Sequence, residues 1–71
     1  MDSKEIGKKL KELRGDKTIA EVADSVGISK SALGMYEAGE RIPRDEIKIK
    51  IAQYYKLRVG DIFFNEKVHI M

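Results

Sequence analysis

The side chains able to do chemistry in this 71-residue chain are cations, hydroxyls and small residues rather than nucleophiles or metal ligands. There is no cysteine, which removes disulfides, thiolate zinc sites and thiol nucleophiles. His69 is the sole histidine and has no second one to form a metal site or a triad with it. No nucleophile–base pair or phosphate-cradling glycine loop stands out, so the sequence argues against an enzyme and calls for no cofactor. Three clusters remain. Ser29, Lys30, Ser31, Gly34 and Met35 crowd one short segment; Lys17, Thr18 and Ile19 precede it; Arg41 and Arg44 flank the single proline, Pro43. Such a set suits a polyanion. Cations and free backbone N–H groups can meet phosphates, and short polar and apolar side chains can meet base edges.

The charge distribution points the same way. The net charge of +2 is only a weak hint. Residues 1–17 carry six Lys/Arg against four Asp/Glu, and residues 40–58 carry six against three. Between them, residues 18–39 carry one against three. Two basic stretches thus flank a nearly uncharged-to-acidic middle. A bland reading stays open here: 37% charged residues also suit a small helical protein with a well-solvated surface.

These clusters need elements to hold them. A first helix is expected over Ser3 to Arg14, capped by Asp2 or Ser3, with Ile6, Leu10 and Leu13 as its apolar stripe. A second starts at Thr18, where Thr18 and Glu21 have capping-box spacing, and buries Ile19, Val22, Ala23 and Val26. Gly27 stops it, and Ser29 caps a third helix that ends at Gly39. Two short helices joined through Val26-Gly27-Ile28 have the sequence form of a helix-turn-helix. The next segment is ambiguous. Ile47-Lys48-Ile49-Lys50-Ile51 alternates like a strand, whereas Ile47, Ile51, Tyr54 and Tyr55 share one helix face. Acid at Asp45-Glu46 and the absence of any sheet to join favour a helix over about Arg44 to Tyr55. A short fifth helix or turn follows at Val59 to Phe63. The fold class expected is all-α, with residues 1–64 as one domain and 65–71 as a tail.

The faces of the third helix decide its use. At about 100° per residue, Ala32, Leu33 and Tyr36 fall on the core side. Ser31, Gly34, Met35 and Ala38 fall opposite, with Lys30 on the shoulder. A merely solvated face is usually charged; this one is small, uncharged and partly apolar. Lys30 can donate to guanine O6/N7, Ser31 can donate or accept, and Met35 can pack on a thymine methyl. Gly34 either lets the backbone approach a groove or is a tolerated helix glycine costing about 1 kcal/mol; the sequence leaves both open.

Residues 20–43 resemble the lambda-repressor/Cro-like (XRE) helix-turn-helix family, through Glu21-Val22-Ala23, Val26-Gly27-Ile28-Ser29 and Tyr36-Glu37-x-Gly39-x-x-x-Pro43. Ile51-Ala52 and Asp61-Ile62-Phe63 extend the likeness, which covers about residues 4–64. The resemblance implies a compact five-helix domain and, usually, a homodimer on a palindromic double-stranded DNA operator. It implies base reading by Ser29, Lys30, Ser31 and Met35, backbone contact by Arg41 and Arg44, and a structural ion pair of Arg14 with Glu37. There are departures. Ile19 stands where the family commonly has a DNA-contacting glutamine, the loop between the first two helices is shorter than usual, and Asp45 and Lys48 replace common leucines.

Together these readings describe a sequence-specific transcriptional regulator, a repressor rather than an activator, working in the cytoplasm. Phosphate contacts are expected from Lys17, Arg41 and Arg44 and from the helix amino end at Thr18 and Ile19. Subunit pairing is expected through Ile62, Phe63, Phe64 and the tail, with intramolecular core as the competing use of those residues. The alternative functions are a protein-interaction module and an antitoxin on the same bundle. No apolar run approaches the roughly 20 residues needed to span a membrane.

Overall fold

In the computed structural model, which describes residues 3–64, the chain forms five helices: α1 (Ser3–Arg14), α2 (Ile19–Val26), α3 (Lys30–Ala38), α4 (Asp45–Tyr55) and α5 (Val59–Phe63). No strand occurs among the described residues. The described residues are all-α, with the five helices gathered round one core. The expected Asp2 cap and the tail 65–71 lie outside the described residues.

Local chemistry fixes most helix ends. At α2 the capping box closes: Glu21 N–H donates to Thr18 Oγ1 and Thr18 N–H donates to Glu21 Oε1, both at 3.0 Å. Gly27 ends this helix in the left-handed region at φ 90°, and Ile28 N–H reaches back to the Ala23 carbonyl at 2.9 Å. That hairpin of backbone turns the chain directly into α3, where Ser29 Oγ accepts from Ala32 N–H at 3.0 Å. Both hydroxyl caps satisfy amides that would otherwise lack an intrahelical partner.

The strand-like pattern of Ile47-Lys48-Ile49-Lys50-Ile51 is helical. Burial selects the outcome: Ile51 and Ala52 enter the core, Ile47 is half-buried, and Ile49 is left outside at 49% exposure. The core joins all five helices through Ile6, Leu10, Val22, Ala23, Val26, Leu33, Ile51, Ala52, Ile62 and Phe63. Phe63 is only 1% exposed and Ile62 only 4%. This corrects the expectation that both help pair subunits. A 71-residue chain has little apolar material, and these two side chains are used up inside the single subunit. Of the three, only Phe64 is exposed.

α1 and the end of α3 pack backbone against backbone, a contact with no local mark in the sequence. Gly7 is buried there. A Cβ on it would collide with the Glu37 carbonyl oxygen and stand 2.7 Å from that of Tyr36. Ser3 does not act as a cap; it is helical, and its hydroxyl donates to the Gly39 carbonyl at 2.9 Å. Pro43 is also buried, which anchors the far end of the loop after α3.

Backbone, not a flexible side chain, opposes any methyl group at position 7. Gly7→Ala is therefore expected to destabilise the domain by about 1–3 kcal/mol or more, as overpacked sites do, despite alanine's better helix propensity. Urea unfolding checks this; an unchanged or raised midpoint would show that α1 and α3 do not pack this closely.

Candidate nucleic-acid interface

The second and third helices present the residues singled out above on one run of surface. Ser29, Lys30 and Ser31 are exposed at the amino end of α3, and Gly34 and Met35 are partly exposed one turn on. Around Gly34 the space is open: a Cβ there would meet nothing within 4 Å. The domain's own packing therefore does not require a glycine at this position. Lys17 and Thr18 are exposed just before α2, and Arg41 and Arg44 are exposed in the segment after α3.

The amino end of α2 is more restricted than expected. Thr18 N–H is already bonded to Glu21, and the Thr18 hydroxyl oxygen is already an acceptor. Thr18 keeps only its hydroxyl proton for a ligand, which corrects its use as a backbone donor. Ile19 packs against the core, so it offers an amide and no side chain. The amides at the start of α2 that the capping box leaves over are those of Ile19 and Ala20. Beside them lies a shallow depression of about 410 Å³, lined by Ala20, Glu21, Ala23, Asp24, Ile28 and Lys30. Glu21 and Asp24 make its rim acidic. Lys30 is the cation in the same lining. Lys30 forms no ion pair or hydrogen bond with any described residue, so its ammonium is uncommitted. Spacing within α2 placed Glu21 in the cap, but only the turn brings Asp24 and Lys30 to one hollow.

One ionic cluster locks this surface to the rest. Arg14 Nε donates to Glu37 Oε2 at 2.8 Å and its Nη2 donates to Glu37 Oε1 at 3.0 Å, a bidentate pair. Arg14 Nη1 also donates to the Lys17 carbonyl at 2.7 Å. A single guanidinium thus joins the end of α1, the loop bearing Lys17 and the last turn of α3. The Glu37 side chain is 3% exposed and that of Arg14 20%. The hydrogen bond to Glu37 raises the Arg14 pKa above its ordinary value. Tyr55 lies near this cluster. Burial pushes its phenol up to about 12, helped by Tyr54 and Glu37 and opposed by Arg14.

Among the described residues no group of His, Cys, Asp and Glu could hold a metal ion, and no helix is long and apolar enough to cross a membrane.

Two outcomes test the cluster. Arg14→Ala leaves a buried carboxylate without its cation and is expected to cost about 3 kcal/mol, the low end for a broken buried pair because Arg14 is partly exposed. A loss under about 1 kcal/mol would make it an ordinary surface pair. The Tyr55 phenol carries a raised folded-state pKa, from 10.0 to about 12. Its contribution is full below pH 10, where folded and unfolded chains are both protonated, and is lost as pH rises toward 12. Urea midpoints measured on both sides of pH 10 should fall with alkali in the native protein and fall less in Tyr55→Phe. Equal falls would remove Tyr55 from that dependence.

A family model described as "Helix-turn-helix" matches residues 8–62, from the middle of α1 through most of α5. Comparison with curated proteins and with solved structures finds no match.

Proposed function

The chain belongs to the helix-turn-helix family of the lambda-repressor-like kind, a family of DNA-binding regulatory domains, and on that premise we propose that it is a sequence-specific transcriptional repressor. In this reading a homodimer places two copies of α3 in successive major grooves of an operator, about 34 Å apart. Occupancy of the operator excludes polymerase, and the protein works in the cytoplasm, where bacterial or phage DNA is.

The observation that carries the proposal is the outward face of α3. It holds an uncommitted cation, Lys30, then the hydroxyls of Ser29 and Ser31, then the open backbone at Gly34 and the thioether of Met35. A major groove about 12 Å wide admits such a helix, and the small residues let it seat deeply. Lys30 donates to a guanine edge, Ser31 to a base edge or phosphate, and Met35 covers a thymine methyl. Lys17, Arg41 and Arg44 grip phosphates on either side, assisted by the amides of Ile19 and Ala20 and by the Thr18 hydroxyl. The aliphatic Ile19 gives this protein one side-chain contact fewer at α2, so its affinity depends more heavily on the loop arginines.

Binding to random duplex DNA at two salt concentrations tests the phosphate contacts. Affinity should fall steeply with salt, with a log–log slope near −0.9 per phosphate neutralised. Absence of salt-dependent binding at low ionic strength would contradict the proposal and favour a protein-interaction module. Residue roles separate next. Lys30→Ala should cost about 1–3 kcal/mol at one operator position, whereas Arg41→Ala should weaken all sequences alike and lower the salt slope by about one. Gly34→Ala is the sharper probe. It should stabilise the free domain by about 1 kcal/mol, because the site is open and alanine is the better helix former, yet weaken operator binding. Unchanged operator affinity in a stabilised Gly34→Ala would take that position out of the interface.

A further inference from the structure

The loop after α3 carries one side chain that neither the fold nor the phosphate contacts use. Ile42 is 45% exposed and packs on no part of the core. Loops between helices ordinarily take Gly, Asn, Asp or Ser, and a bare isoleucine there leaves apolar surface in water. Single exposed apolar residues are ordinary, so the placing of this one decides what it means.

Its neighbours fix that placing. The proline that follows holds Ile42 in extended backbone, and Arg44 is extended as well, at φ −68° and ψ 165°. Extended backbone sends alternate side chains to opposite sides. Pro43 is buried, whereas Ile42 and Arg44 are exposed. Pro43 therefore faces inward and holds Ile42 and Arg44 on the outer side. Arg41, on the other flank of Ile42, is exposed too. Neither arginine side chain forms an ion pair or hydrogen bond with any described residue. The loop thus offers a cation, an apolar side chain and a second cation, on backbone pinned by a buried ring.

That order selects its ligand. A pair of cations alone accepts any anion, and an isoleucine alone accepts any apolar surface. A nucleic-acid strand supplies both in the same alternation, because a sugar with apolar carbon-bound edges lies between each phosphate and the next. An acidic protein segment supplies the charge without this alternation, and free phosphate supplies no apolar surface. Isoleucine also has a plainer use here: β-branched stiffness, which suits the extended residue before a proline. Threonine shares that stiffness, so the two uses can be separated.

We propose that Ile42 packs against a deoxyribose of the DNA backbone, between the phosphates held by Arg41 and Arg44. The contact rests on the regulator reading and adds to it a part of the affinity that salt does not screen. It is the same on every sequence, because the sugar carries no base information.

Binding of the full chain to random duplex DNA over a range of salt concentrations tests the contact. Ile42→Thr keeps the β-branch and removes most of the apolar reach. It should keep the helix content and urea midpoint of the native protein, raise Kd by about three- to tenfold at every salt concentration, and leave the log–log slope unchanged. Ile42→Leu, which keeps the apolar bulk, should bind within about twofold of the native protein. An unchanged Kd in Ile42→Thr, beside a native protein that binds with a steep salt slope, overturns the sugar contact and leaves the regulator reading standing. A smaller slope in Ile42→Thr also overturns the contact, because Ile42 would then act by placing the arginines. A native protein without salt-dependent binding overturns the regulator reading, and the contact with it.

Discussion

The position of α3 depends on how closely α1 can approach its carboxyl end. Gly7 brings the two backbones together, and no other residue fits beneath the Tyr36 and Glu37 carbonyls. Around that contact, Ser3 holds the Gly39 carbonyl and Arg14 grips the Glu37 carboxylate. The anchoring residues all hold the last turn of α3. Its amino end is thereby left free, and that end carries Ser29, Lys30 and Ser31. Clamping the carboxyl end of α3 in this way fixes the direction in which its amino end is presented.

The same economy governs the polar groups. Capping uses the Thr18 amide, the Glu21 carboxylate and the Ser29 oxygen within the fold. What remains for a ligand is correspondingly small: hydroxyl protons, two amides of α2, a free lysine and the loop arginines. None of these is strong alone. In DNA recognition the cations supply affinity and orientation, while a few groups at the base edges supply discrimination.

Much of the fold was legible because its signals are local. Thr18 with Glu21, Gly27, Ser29 and Gly39 mark helix ends through chemistry within five residues, and the structure ends its helices there. The strand-or-helix ambiguity at residues 47–51 was resolved by partners that lie far away in sequence, since Ile51 packs in a core built from every helix. Gly7 was unreadable for the same reason. A glycine in the middle of a helical stretch looks like a tolerated weakness until the facing backbone is known. Ile62 and Phe63 carry no local mark of their use either, because apolar residues near the carboxyl end serve a core or an interface according to how much the core requires. Of the candidate site, the sequence located the exposed residues of α3 and the flanking cations. It did not reveal that the Thr18 amide is spent or that Lys30 shares a hollow with two carboxylates, because both follow from side-chain geometry across a turn.

The central claim is that one continuous surface, from the start of α2 across α3 to the loop that follows, receives DNA. Backbone amide chemical shifts, followed while duplex DNA is added at low salt, test it residue by residue. The account predicts the largest changes at residues 17–20, 29–35 and 41–44, with little change in the second half of α4. Changes concentrated in the second half of α4 and in α5, with α3 unaffected, would contradict it.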